Sequence, residues 1–418
     1  MHDKTGAIGR RTLLKGAAAM PALAAPAVQA QGPVVLRYVG TAVNQHQGIK
    51  DKVREDLGIV LEYIPVVSDD VVRRAVTQPN SFDVLDSEYW MLKKIVPSGN
   101  LVGMDASRIR LVNEITTVFT KGEIAGRRIG SQGTAPWKVG YLPSREARNF
   151  ANAPTQWLTL IPTVYNADTL GIRPDKINRP IESWAELLNP EFRGKASILN
   201  IPSIGIMDAA MAVEAAGRHR YADKGNMTRQ EIDLTMRVLT EAKRAGQFRA
   251  FWRDFNESVN LMASGETVIQ SMWSPAVTKV RSMGIPCIYQ PLKEGYRAWA
   301  AGFGIPKTLT GRKLDATYEF INWFLSGWAG AFLNRQGYYA AVLSTAQRAM
   351  EPYEWDYWME GKPAAQDIKA PDGTVLERAG AVRDGGSYAQ RMGAIACWNA
   401  VMDENDYMVR KWNEFIAA

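Results

Sequence analysis

Cysteine and histidine are scarce in this chain. Its 418 residues include two cysteines and three histidines, too few for a disulfide framework. Beyond the first residues only His46 and His219 remain, and neither stands at the spacing of metal ligands or beside a candidate nucleophile. The sequence contains no Gly-x-Ser-x-Gly elbow, no His-Glu-x-x-His helix and no Walker A loop, which argues against a hydrolase, a zinc protease and an ATPase. Neither a resident cofactor nor a metal is expected. After the first thirty residues no apolar run is long and charge-free enough to span a bilayer. There is no internal repeat and no low-complexity segment. Charge of one sign is not concentrated either. The net charge is +7, but the first thirty residues hold four Lys/Arg against one Asp, so about +4 is spread over the rest. Basic residues interleaved with acids leave no nucleic-acid footprint.

What is present begins with a processing signal. Lys4, Arg10, Arg11 and Lys15 form a basic front, residues 17–27 are alanine-rich, and Val28-Gln29-Ala30 is a small-residue cleavage site. Gly9-Arg10-Arg11-Thr12-Leu13-Leu14-Lys15 resembles a twin-arginine export signal. The expectation is export to the periplasm through the twin-arginine machinery, with cleavage after Ala30. In that oxidising compartment Cys287 and Cys397 are read as two buried free thiols, since nothing in the sequence places them close enough to pair.

From residue 34 strands and helices alternate. The pattern predicts strands over 34–39, 59–64 and 81–86, and helices over 47–57, 69–77 and 91–96, with Gly58 stopping the first helix and Ser68 capping the second. Residues 264–277 form a further unit: a turn at Gly265-Glu266, a short β-branched strand over 267–272, then Trp273 before a Ser-Pro break. In open α/β sheets ligands sit beyond the carboxyl ends of strands, which puts Trp273 at the rim of a cleft. Ser183-Trp184-Ala185-Glu186 has capping-box spacing, with Trp184 expected in a core. Strand 196–201 and helix 206–216 follow, joined by Pro202-Ser203-Ile204-Gly205, which reads either as a plain strand-to-helix turn or as a helix start whose backbone N–H groups meet an anionic or carbonyl group. Residues 353–358 and 370–374 read as an inserted surface loop or hairpin with an Asp-Gly turn. Trp398, Val401, Met408, Trp412 and Phe415 read as the packed stripe of a final helix.

Several segments carry a family resemblance. Residues 83–90 (DVLDSEYW), 98–105 (SGNLVGMD), 157–166 (WLTLIPTVYN), 181–195 (IESWAELLNPEFRGK), 264–273 (SGETVIQSMW), 291–295 (PLKEG) and 318–328 occur in an order and spacing similar to the extracytoplasmic solute-binding proteins of ABC importers. The likeness is nearest to their spermidine/putrescine-binding branch and runs over most of the chain after the signal. It implies a two-lobed α/β fold of the type II periplasmic-binding-protein class, each lobe a mostly parallel sheet flanked by helices, joined by a hinge. The implied division is 31–161 for the first lobe, 162–296 for the second, and 297–418 returning to the first, with C-terminal helices bracing both. The implied partners are a small solute and an inner-membrane ABC permease, and the protein is expected to be a monomer.

Carried over by position, the resemblance places Thr41, Ser87, Tyr89, Trp273 and Trp299 around the solute, with Glu88 beside Ser87 and Ser203 on the 202–205 loop as further candidates. Aromatic side chains there suit a cation or a flat, partly apolar molecule. Two departures bear on the ligand. The carboxylates that polyamine binders carry are replaced by Pro202-Ser203-Ile204-Gly205 on one loop and by Ala301 two residues beyond Trp299. An ammonium enclosed without a carboxylate loses its water for little return, so Asp86, Glu88 and Asp208 are the candidate substitutes. The leading expectation is a polyamine-like solute. The alternatives are ferric iron held by Tyr338-Tyr339, and a periplasmic sensor or enzyme.

Overall fold

Two long strands carry the architecture. Ile161–Ile172 is buried along its whole length, and Tyr296–Pro306 runs antiparallel to it, from Ile161 opposite Phe303 to Asp168 opposite Arg297. The computed structural model describes residues 32–418, so the twin-arginine signal and the cleavage site after Ala30 lie outside the described residues. The two strands are near-continuous runs of β-branched, aromatic and small residues, as strands buried on both faces require.

On each side of this pair lies a block of three parallel strands. The main sheet runs Phe248–Trp252, Ala196–Leu199, Ile269–Met272, Ile161–Ile172, Tyr296–Pro306, Val84–Glu88, Val35–Gly40, Val60–Pro65. The first three are parallel, as are the last three. The junctions with the central pair are antiparallel. Each block has its own core. Leu36, Tyr38, Trp90, Phe303, Phe320 and Trp358 belong to one; Leu170, Trp184, Ile198, Met207, Leu239 and Trp412 belong to the other. Residues 34–418 form one compact unit. Among the described residues no helix is long and apolar enough to cross a membrane.

Local expectations fare unevenly. The helix Gln47–Leu57 ends at Gly58 in the left-handed region, φ 65°, as glycine permits at little cost. The helix Ser68–Thr77 corrects the cap: Ser68 is already helical, Val67 occupies the capping position, and no side chain caps it. The helix Pro202–Ala215 starts earlier than its apolar run announced, because proline suits the first turn. The capping box at 183–186 does not form. Ser183 accepts from the Ala185 N–H and donates to Glu294, which also receives the Trp184 N–H. Glu186 pairs with Arg179 instead. Trp184 is fully buried, as expected.

The C-terminal hundred residues hold two corrections. Residues 353–358 are not a surface loop: Pro352–Trp358 is a helix that buries Tyr357 and Trp358. Trp398 and Val401 are not in the final helix. Trp398 ends the strand Ile395–Trp398, Val401 is in the connection, and Asn405–Ala417 is the helix, burying Met408, Trp412 and Phe415. The Asp372-Gly373 hairpin is present between Ile368–Lys369 and Val375–Glu377, with Gly373 at φ 85°. Cys287 and Cys397 are both free and buried.

Candidate functional site

Glu88 is the last residue of the strand Val84–Glu88 and pairs with Ala301 across the sheet. Directly opposed residues project to the same face. A carboxylate therefore stands on the rung where Ala301 leaves a gap, supplied by the neighbouring strand. Trp299 lies two residues along from Ala301 and so shares that face. Its ring is half-buried and meets Tyr338 edge-on at 5.7 Å. Glu88 is also half-buried, and the Trp90 Nε1–H donates to its Oε2 at 2.6 Å. Burial pushes the Glu88 carboxyl up to about 7, against the opposing pull of Trp90, Asn399 and Arg297.

Trp90 links Glu88 to the other half of the sheet. With Asp69, Arg73 and Lys94 it lines a cleft of about 420 Å³ that Pro202, Ser203 and, from the C-terminal segment, Asn405 and Asp406 also line. Ser203 sits in the first turn of its helix, buried, and its hydroxyl has no partner among the described residues. Trp273 precedes the helix Ser274–Ser282. It is half-buried and packs edge-on against Trp252 at 4.8 Å, in a cluster that includes Ile204 beside Ser203.

The remaining expected residues are placed differently. Thr41 lies half-buried in the turn after Val35–Gly40. Ser87 is buried and donates to the Glu88 carbonyl at 3.2 Å. Tyr89 is buried too: its hydroxyl donates to the Leu160 carbonyl at 3.3 Å, and its ring packs on Phe119 at 5.6 Å. The polar atoms of Ser87 and Tyr89 are thus engaged in the interior.

The other candidate carboxylates are occupied. Asp86 accepts from the Tyr38 hydroxyl at 2.8 Å and from Asn44, and burial pushes it up to about 7. Asp208 is fully buried and takes the Arg297 Nε at 2.6 Å. The same guanidinium donates to Asn399 at 2.7 Å and stands 3.4 Å from Asp168. This buried network ties the helix Pro202–Ala215 to both central strands. Tyr338 and Tyr339, the latter opening the strand Tyr339–Ala340, make different contacts. Tyr338 faces Trp299, while the Tyr339 hydroxyl accepts from Arg383 at 2.8 Å. A ferric site would need both phenolates to converge.

Sequence reasoning missed Trp90 as a cleft residue. Trp90 reads as an ordinary core aromatic after a strand; only the Ala301 rung makes its contact with Glu88 informative.

The comparisons follow the same frame. A family model described as "Bacterial extracellular solute-binding protein" matches residues 55–367. No curated protein matches the sequence. Among solved structures the chain is similar to the spermidine/putrescine ABC transporter substrate-binding protein PotD from Streptococcus pneumoniae, at 14% identity and TM-score 0.60, covering 92% of this chain and 98% of that one. It is also similar to the Atu4243-GABA receptor, at 17% identity and TM-score 0.56, covering 92% and 97%. A third is the binding protein AgtB from A. tumefaciens R10 in complex with agropinic acid, at 15% identity and TM-score 0.57, covering 92% and 99%. At such identities the likeness shows the fold alone, which is the expected α/β periplasmic-binding-protein fold.

Proposed function

The chain belongs to the bacterial extracellular solute-binding proteins, the non-enzymatic capture components of ABC transporters, and from that premise we propose that it captures a small amine-bearing solute, polyamine-like in its charged end, and delivers it to an inner-membrane permease. The observation that carries the amine assignment is the rung Glu88–Ala301. It supplies a half-buried carboxylate that accepts the Trp90 Nε1–H and shares its face of the sheet with Trp299, whose ring meets Tyr338 edge-on. A carboxylate with an aromatic side chain on the same face of the sheet offers an ammonium a return for the hydration it loses. The twin-arginine export reading completes the proposal: the protein crosses the inner membrane folded and works in the periplasm.

The proposed lobes follow the expected division, 31–161, 162–296 and the return 297–418. The long strands Ile161–Ile172 and Tyr296–Pro306 pass between them and form the hinge. Solute bridging Glu88 and Trp299 on one side and Ser203 and Trp273 on the other favours the closed form by the contacts made only there.

Titration calorimetry with putrescine and spermidine tests this reading. An ammonium binds the ionised carboxylate, and free Glu88 ionises near pH 7. Affinity is therefore expected to fall as pH drops from 8 to 5. Glu88→Gln is expected to lose about tenfold or more in affinity, the worth of a charge-assisted pair, and to flatten the pH dependence. Amine binding that ignores both the substitution and the pH would remove Glu88 from the site.

A further inference from the structure

On the far side of the Gly337–Tyr339 segment from Trp299, two arginines are buried without an ion pair among the described residues. Arg383 is 4% exposed and Arg391 3%. The Arg383 guanidinium stacks over Trp358 at 4.4 Å and Tyr339 at 5.4 Å. Arg391 lies over Tyr289 at 5.3 Å and Tyr296 at 5.7 Å. Tyr388 closes the ring, 5.0 Å from Tyr339. The nearby acids are already used: Asp384 and Glu377 both pair with Arg281, Asp384 also receives the Tyr289 N–H at 2.7 Å, and Asp168, which feels the Arg391 charge, takes the Tyr289 hydroxyl at 2.8 Å and stands 3.4 Å from Arg297.

The donors left over are specific. Arg383 Nε and Nη1, Arg391 Nε and Trp358 Nε1 are buried with no acceptor among the described residues. Burial pushes the Arg383 guanidinium below its ordinary value, and the Arg391 charge adds to that push; against the same burial, Tyr339, Tyr296, Tyr289 and Asp384 hold Arg391 above its ordinary value. Two like charges held out of water are costly unless an anion joins them. Unpartnered donors on planar guanidinium groups match the two oxygens of a carboxylate. The aromatic walls suit the carbon skeleton behind it.

We infer that Arg383 and Arg391, with Trp358, form an oxyanion chamber that takes the carboxylate of a small organic acid. The inference rests on the solute-binding reading and deepens it. The chamber shares the Gly337–Tyr339 wall with the Trp299 site, Tyr338 facing one side and Tyr339 the other. A solute reaching both sites carries a carboxylate as well as an amine, and a plain diamine satisfies only one of them.

A thermal-shift series on the purified protein separates the possibilities. The probes are 4-aminobutyrate, putrescine and succinate, together with longer amino acids, diamines and dicarboxylates, and inorganic phosphate and sulfate. Carboxylate-bearing probes are expected to raise the melting temperature, since a ligand that binds only the native state stabilises it. Arg383→Met is expected to weaken their binding about tenfold or more, as loss of a charge-assisted bond does. The same variant, without probe, is expected to melt no lower than the parent, because it removes an uncompensated buried charge. A variant that melts lower while the carboxylate shift is unchanged would make Arg383 structural and overturn the inference. A shift with diamines alone also overturns it and leaves the solute-binding reading standing. A shift with phosphate or sulfate that exceeds every carboxylate reassigns the chamber to an inorganic anion. Silence of every probe counts against both readings.

Discussion

At the scale of single residues, the proposed site rests on a substitution across strands. Ala301 removes a carboxylate from one strand and Glu88 restores one from the next, on the same rung. The nearby buried acids have a different consequence, read through stability. Burial raises Asp86 to about 7 and Asp168 to about 6, as it raises Glu88 to about 7. In the unfolded chain such groups release their protons near pH 4. Between pH 4 and 7 the folded protein therefore holds more protons than the unfolded chain, and stability falls as pH rises through that window. His46 pulls the other way, because burial lowers its pKa, but it is one group against three. The melting temperature of the wild type is expected to drop from pH 5 to pH 8, and Asp86→Asn, which cannot ionise, is expected to drop less. Scanning calorimetry across that range checks both; equal slopes would show that Asp86 does not carry the effect.

At the scale of elements, the final helix Asn405–Ala417 clamps the second core. Trp412 is fully buried, and its Nε1–H donates to Asn200 at 2.8 Å, next to the start of the Pro202–Ala215 helix. Gly205 in that helix permits the approach: a Cβ there would overlap the Leu199 carbonyl and the Trp412 ring. Trp412→Ala is expected to cost about 3–5 kcal/mol by cavity formation, and Gly205→Ala about 1–3 kcal/mol by overpacking. Chemical denaturation measures both, and a neutral Gly205→Ala would contradict the close contact. Elements with local signals were legible in the sequence. Gly58 marks the end of its helix to the residue, and Asp372-Gly373 marks its hairpin. Elements decided at long range were not. Glu294 takes the Ser183 and Trp184 donors that the local motif assigned to Glu186. Trp398 keeps helical spacing with Val401 yet pairs as a strand with Ala298, because a strand edge was available there. Arg383 and Arg391 look like surface cations among glycines until packing encloses them.

At the scale of the whole molecule, two parallel blocks with separate cores are joined through a pair of long antiparallel strands. That arrangement allows the proposed closure: each half moves as a packed body while two strands flex. The family and fold were legible because motif order spans most of the chain. The ligand was less so, because its determinants come from rungs and walls rather than runs. Native ion-mobility mass spectrometry of the protein titrated with the amine and carboxylate panel reads stoichiometry and compaction together, and so tests capture and closure in one experiment. The account predicts a saturating one-to-one solute adduct whose collision cross-section is smaller than that of the bare protein. Bare protein throughout, or an unsaturable ladder of adducts with unchanged cross-section, would contradict it.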